Sequence, residues 1–393
     1  MLPNAAARIR GDAAVVLLSF VALGVPIGML GVAWPAMRAD LAAPVAGLGL
    51  LLSALTLLEA GSSAVAGAVH QRIGARPMLV GSTLGAAVSL TIVGAAGSWE
   101  IAVAGALLLG AALGFLDVAV NAYGTLTQGI RYLGALHGSW AVGATLGPPL
   151  VGLAIVAGGS WRVGFLILAG CFLLVGIGLA RAGLPSTALH QAVAHTPAKI
   201  RTVVLGCVIF FLYVGIEVGA GSWSFVRLAD GGIAAAAAGA AVTGYWAMLA
   251  LSRIGLALWG DRAPAETLLD LALVGTGVAG LAVWLLPVGL GAFVALPLLG
   301  FALGAIIPLL VYLTPRRVGR GSASSVIGLQ FASAMLGGAT IPAAIGYAME
   351  LGGSATFGPA IALLSVALIA THVAAREPVL AAPKERPEVV DRR

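Results

Sequence analysis

Three carboxylates stand out by position. Glu59, Asp117 and Glu217 each lie near the middle of a long apolar run, with no Lys or Arg at matching depth. A carboxylate at the centre of a bilayer costs about 2.5–3.5 kcal/mol on insertion scales, and such residues are rare unless they do something. A low-dielectric site favours the neutral carboxyl over the ionised one, so a group poised between the two forms can carry a proton. The blander alternative is a protonated acid hydrogen-bonded to a neighbouring helix. Asp117 and Asn121 are four residues apart and share a helix face. An acid and an amide on one face can accept and donate hydrogen bonds to hydroxyl groups. Glu217 shares a face with Tyr213 in the same way, and Glu59 with Thr56 and Ser63, a stripe that equally suits helix packing.

Other polar and aromatic residues occupy similar depths. Trp140, Trp223 and Trp246 are candidates to stack on the C–H face of a sugar while their N–H groups donate; plain packing is the alternative. Gln330 is the only glutamine well inside a C-terminal run, and His137 suits either proton relay or ordinary packing. Cys171 and Cys207 sit inside apolar runs, which indicates neither a disulfide framework nor a zinc site. No phosphate-binding GxxxxGK[ST] loop is present and no nucleophile–base constellation stands out, so neither an ATP-driven pump nor an enzyme is expected. No cofactor is called for beyond a coupling proton, with sodium as its alternative.

The elements that must position these residues follow from composition. The chain has 393 residues, 60% of them hydrophobic and only 9% charged, with a mean hydropathy of +1.05. A soluble chain carries roughly 25% charged residues, so a polytopic, all-helical membrane protein is expected. Spanning helices need about 20 apolar residues. Twelve such runs are expected at 13–36, 46–69, 77–96, 100–124, 134–157, 162–181, 202–226, 236–259, 267–287, 290–313, 323–348 and 356–374. They form an N-terminal six-helix bundle over residues 1–181 and a C-terminal one over 202–375. The polar stretch 182–201 is expected as a cytoplasmic linker, and the Pro-rich, charged stretch 376–393 as a disordered cytoplasmic tail.

The charges supply orientation. Only Arg38, Arg162 and Arg227 fall in odd-numbered loops. The other 18 of the 21 basic residues fall at the termini or in even loops, among them Arg72, Arg76, Arg131, Arg253, Arg262, Arg316, Arg317 and Arg320. That is the positive-inside pattern, and it places both termini in the cytoplasm. It also assigns the net charge of +6 to orientation and to the anionic inner leaflet, leaving no call for nucleic acid. The partners expected are the lipid bilayer and a small solute, with the protein a monomer in the inner (plasma) membrane. Trp99, Trp161 and Trp284 fall at outer span ends, where amphipathic rings anchor.

The halves also resemble each other. Arg72-Ile73-Gly74 returns as Arg253-Ile254-Gly255, offset by 181; Leu109-Gly110-x-Ala112-Leu113-Gly114 returns as Leu299-Gly300-x-Ala302-Leu303-Gly304, offset by 190; and Gly143-Ala144-Thr145 returns as Gly338-Ala339-Thr340, offset by 195. A parallel six-plus-six repeat is the layout of the major facilitator fold, with the substrate site between the halves.

The segment Gly67-x-x-x-Gln71-Arg72-x-Gly74-x-Arg76 is similar to the signature gating loop of that superfamily, with Gln71 where the family usually has Asp. Arg253 is placed with it as its counterpart in the second half. More specific stretches resemble the fucose-permease-like and sodium-dependent-glucose-transporter-like branch. These are Gly114-Phe115-Leu116-Asp117-Val118-Ala119-Val120-Asn121-Ala122, Leu136-His137-Gly138 through Gly147-Pro148, Tyr213-Val214-Gly215-Ile216-Glu217-Val218 with Gly221 and Trp223, and Tyr245-Trp246 with Arg253 in the eighth run. The resemblance implies proton- or cation-coupled uptake of a sugar, with Asp117 at the position of the permease's span-4 acid. The permease's span-1 acid aligns with Gly31 and its span-5 amide falls near Trp140, two departures that count against fucose itself. Coupling would then rest on Asp117 with Glu217 or Glu59. The rival expectation is a proton-coupled exporter of drugs or amphipathic metabolites.

Overall fold

The computed structural model describes residues 3–44, 47–157, 160–184 and 198–376. Among them run twelve long helices: α1 (Pro3–Asp40), α2 (Gly47–Ile73), α3 (Ala75–Gly94), α4 (Trp99–Thr127), α5 (Ile130–Val156), α6 (Trp161–Arg181), α7 (Ile200–Asp230), α8 (Ala235–Trp259), α9 (Ala265–Leu285), α10 (Val288–Val318), α11 (Ala323–Gly352) and α12 (Phe357–Ala375). Eleven, all but α1, contain described stretches long and apolar enough to cross a membrane. The protein is therefore an all-α, multi-pass membrane protein. α1 begins well before the expected span, and α10 is interrupted by a π-helical turn at Gly291–Ala295. The expected linker lies mostly in residues 185–197 and the expected tail almost entirely in 377–393, both outside the described residues.

Packing follows the small residues. A Cβ added to Gly110 would collide with the Leu55 carbonyl, and one on Gly114 with the carbonyl of Glu59 and the hydroxyl of Ser62. Gly300 and Gly304 stand in the same relation to the carbonyls of Tyr245 and Leu249. Backbones approach this closely only where side chains are absent, so the repeated Leu-Gly-x-Ala-Leu-Gly segment seats α4 on α2 and α10 on α8 in one register, with a common offset of 190.

That register corrects two of the sequence matches. Arg72 corresponds to Arg262, and Arg253 corresponds to Ser63. Likewise Gly143 packs against the carbonyl of Val21 and Gly337, not Gly338, against that of Phe211. Short identities in Gly/Ala-rich sequence slide by a residue; the need for a bare Cα does not.

Within the first six helices α1 packs on α5 and α6, α2 on α4, and α3 on α4 and α6; within the second six, α7 packs on α11 and α12, α8 on α10, and α9 on α12 and α10. Two extensive seams join the sets: α2 against α11 and α5 against α8. Both seams are tightest at the end bearing the α2–α3 and α8–α9 loops. Gly67 lies against Ser324 and Ser325, Gly328 against the Ser63 carbonyl, and Gly134 against the Arg253 carbonyl and the Ala257 amide. The described hydrogen bonds and ion pairs that cross between the sets gather there too. Gln71 Nε2 donates to Gly321 O at 2.7 Å, Arg320 Nη2 to Leu126 O at 3.0 Å and Arg131 Nε to Ala257 O at 2.9 Å, while Arg131 pairs with Asp261 at 3.5 Å.

Candidate functional site

Two buried polar clusters lie inside the helices, one on each set of six. On α4, Asp117 and Asn121 are buried, and one helical turn brings their side chains together. Asn121 Nδ2 donates to Asp117 Oδ1 and to the Asp117 carbonyl, both at 2.9 Å. Its Oδ1 meets His137 Nε2 from α5 at 3.1 Å. An amide oxygen only accepts, so this Nε2 carries the hydrogen. His137 is also buried and stands edge-on to Phe20, centroids 5.5 Å apart.

Glu59, on α2, is buried near Asp117, and the two carboxyls interact electrostatically. Its neighbours Ser62 and Ser63 are spent on packing: Ser62 donates to the Glu59 carbonyl at 3.0 Å and Ser63 to the Gly114 carbonyl at 3.4 Å. The serine part of the stripe therefore is packing glue.

The second cluster changes the expected picture. Glu217 on α7 is not unneutralised: Arg253 Nη2 reaches its two carboxylate oxygens at 3.3 and 3.2 Å. Arg253 was expected in a cytoplasmic loop as part of the gate. It lies six residues inside the C-terminal end of α8, within the expected span 236–259 and not in a loop, and is only 4% exposed. Its Nε donates to the Gly304 carbonyl at 3.4 Å. Tyr213, one turn before Glu217, donates its hydroxyl to Glu217 Oε2, and Tyr245 of α8 donates to the Glu217 carbonyl at 2.9 Å. Arg253 and Tyr245 reach Glu217 only because α8 crosses α7 there. The one sequence signal was that Arg253 stands well short of the Gly260-Asp261-Arg262 turn that ends the span.

The remaining expected site residues separate. Trp223 commits its Nε1–H to the Pro342 carbonyl at 2.7 Å, so that donor is occupied. It lines an open groove of about 480 Å³ between the ends of α7 and α11, together with Asp230, Tyr347 and Glu350. Trp246 is 39% exposed and stands edge-on to Tyr245 at 5.1 Å. Trp140 is half-buried, with its carbonyl against Gly24 of α1. Gln330 joins neither acid; it accepts from Thr314 at 3.1 Å beside a small cavity lined by Thr202 and Arg317. Trp161 is no interfacial anchor, being 2% exposed and donating to Asp40 Oδ2 at 3.1 Å.

In the last turn of α2, rather than in a loop, Gln71 makes the cross-seam bond to Gly321 and Arg72 is exposed. Gly74 turns the chain at φ 87°, a conformation costly for other residues, and Arg76 donates to the Ala180 carbonyl at the end of α6. In the register set by the glycines, the counterpart of Gln71 in the second half is Asp261, which meets Arg131. Each seam thus has a polar clasp at the same end, one neutral and one ionic.

Residues 16–342 match the profile of the Major Facilitator Superfamily. The chain belongs to that family. It is a transporter, not an enzyme, and it resembles the fucose permease branch. FucP crystallised in the outward conformation superposes with a TM-score of 0.78 at 16% identity, over 93% of this chain and 99% of that one. The human organic anion transporter MFSD10 gives 0.71 at 17% identity, over 96% and 100%. The proton:xylose symporter XylE bound to 6-bromo-6-deoxy-D-glucose gives 0.70 at 13% identity, over 94% and 96%. At such identities the likeness concerns the fold. A comparison with curated protein sequences gives no match.

Proposed function

We propose that this chain is a secondary active transporter that moves a small polar solute, a sugar, across the inner membrane by alternating access coupled to protons. Residues 1–181 and 202–375 act as two bundles that rock about the α2–α11 and α5–α8 seams. The termini and the basic loops lie in the cytoplasm, so the tightly packed end is the inner one and the conformation faces outward.

The observation that carries the reading is a buried carboxyl cluster on each set of six helices, beyond a closed, basic end. Asp117, held by the Asn121 amide, has no buried cation beside it among the described contacts. A carboxyl in that setting is stable when protonated and becomes ionisable when water reaches it. Proton uptake on the outside and release on the inside then accompany the rocking motion, and solute hydroxyls bind the Asp117–Asn121–His137 face. Transport is driven because proton and solute bind the two conformations unequally. FucP is a fucose:proton symporter and XylE a proton:xylose symporter, which supports sugar and proton together.

The test is uptake of labelled sugars into proteoliposomes under an inward proton gradient. Asp117→Asn is expected to remove gradient-driven accumulation while leaving solute exchange. Accumulation that survives in Asp117→Asn with an unchanged pH profile refutes the assignment.

A further inference from the structure

Arg253 is the only Lys or Arg among the buried described residues, and the three buried acids do not share it. Its ion pair is with Glu217, it also hydrogen-bonds Tyr213, and its bonds to Gly304 and Glu217 leave from Nε and Nη2. Its place is equally specific. The Arg253 carbonyl is where Gly134 of α5 closes on α8, and His137, one turn above Gly134, lies within its electrostatic reach. The guanidinium itself reaches Glu217 of α7 and Gly304 of α10, and His137 of α5 is the group of the first set that feels its charge.

A buried ion pair is weak evidence for stability, since well-packed apolar residues commonly do as well. This one has a construction that lets it open. Tyr213 donates to the carboxylate and also contacts Arg253, so Glu217 keeps its tyrosine partner when the arginine leaves. If Glu217 then holds a proton, the carboxyl is neutral and satisfied, and Arg253 is left as an unpaired buried cation. Such a charge demands an anion. The groups facing Glu217 are Tyr213 from its own helix and Arg253 and Tyr245 from α8; α10 contributes only the Gly304 carbonyl to Arg253, and α5 contributes His137 across the seam.

We propose that the transported solute carries a carboxylate, that this group binds Arg253, and that it does so as Glu217 takes up a proton. The exchange balances: one proton and one carboxylate enter, the Glu217–Arg253 pair opens, and the net charge of the site is unchanged. Linkage makes the effect reciprocal, each ligand tightening the other. The inference rests on the proton-coupled sugar reading and narrows it to acidic sugars.

Glucuronate and glucose, titrated into the purified full-length protein at pH 6 and pH 8 by calorimetry, test it. The carboxylate of glucuronate stays ionised throughout this range. Glucuronate is expected to bind at least tenfold tighter than glucose at pH 6 and to weaken toward pH 8, by up to about tenfold per pH unit for one linked proton. Glu217→Gln mimics the protonated acid and is expected to bind glucuronate equally at both pH values. Arg253→Gln is expected to lose the preference for the acid; if it does not fold, the contrast between the wild-type and Glu217→Gln pH profiles decides.

Glucose bound as tightly as glucuronate overturns the inference and leaves the sugar reading standing. Benzoate bound through Arg253, with neither sugar bound, keeps the carboxylate assignment and removes the sugar reading. A pH profile unchanged in Glu217→Gln, or no binding by any of the three, overturns the inference.

Discussion

The seam between α5 and α8 can be opened by one carbon atom. A Cβ built on Gly134 falls 2.6 Å from the Ala257 amide nitrogen and 3.0 Å from the Arg253 carbonyl oxygen. Both are helix backbone, which cannot rotate away, so Gly134→Ala must push the two helices apart. Overpacking of this kind costs about 1–3 kcal/mol. Because the clash exists only where the two sets of helices touch, the cost falls on the closed form and not on the form in which this end has parted. The equilibrium then moves toward the parted form by about 5- to 150-fold.

A cysteine at Ser324 reports the change, since Ser324 is 4% exposed and sits against Gly67 on the other seam, away from the substitution. With Cys171 and Cys207 replaced by serine, maleimide labelling of Ser324→Cys is expected to accelerate by that factor when Gly134→Ala is added. If the melting temperature falls and the labelling rate does not move, Gly134 is a packing position inside a rigid body. The rocking reading of the α5–α8 seam is then wrong.

Other perturbations follow from the same contacts. Removing Arg253 alone strands Glu217, and breaking such a buried pair costs about 3–5 kcal/mol; Arg253→Gln should therefore melt about 5 °C lower, given how unfolding entropy scales with chain length. Glu217→Gln/Arg253→Gln should recover most of that loss in a thermal melt, and a double variant no better than the single one shows that the ion pair is not the source. Gln71→Ala deletes one cross-seam hydrogen bond, worth about 1 kcal/mol, so labelling of Ser324→Cys should rise about fivefold. An unchanged rate means that the Gly321 contact does not hold this end shut.

How much of this was legible beforehand can be traced residue by residue. Asp117, Asn121 and Tyr213 with Glu217 were readable because both clusters use a spacing of four, and one helical turn joins such residues whatever the tertiary fold. His137 was visible only as a polar residue at depth; its bond to Asn121 required knowing that α5 packs beside α4. Arg253 was misplaced because a short Arg-Ile-Gly identity pulled it toward Arg72. The helix continues past it to Trp259, as the expected span 236–259 itself required. Gln330 looked equivalent to Asn121 by type and depth. It lies instead beside Thr314, away from both acids, because depth along one helix says nothing about which neighbour it faces.

The sequence by itself determined the class of molecule and the run of apolar helices. Those follow from solvent: a chain with 9% charged residues cannot cover itself in water. Tertiary structure alone decided which charge meets which. Glu217 and Arg253 are 36 residues apart, and the carbonyls that fix Gly134 and Gly328 belong to the other set of helices. Contacts of that kind depend on how helices cross, and the crossing is set by where a missing side chain lets two backbones touch.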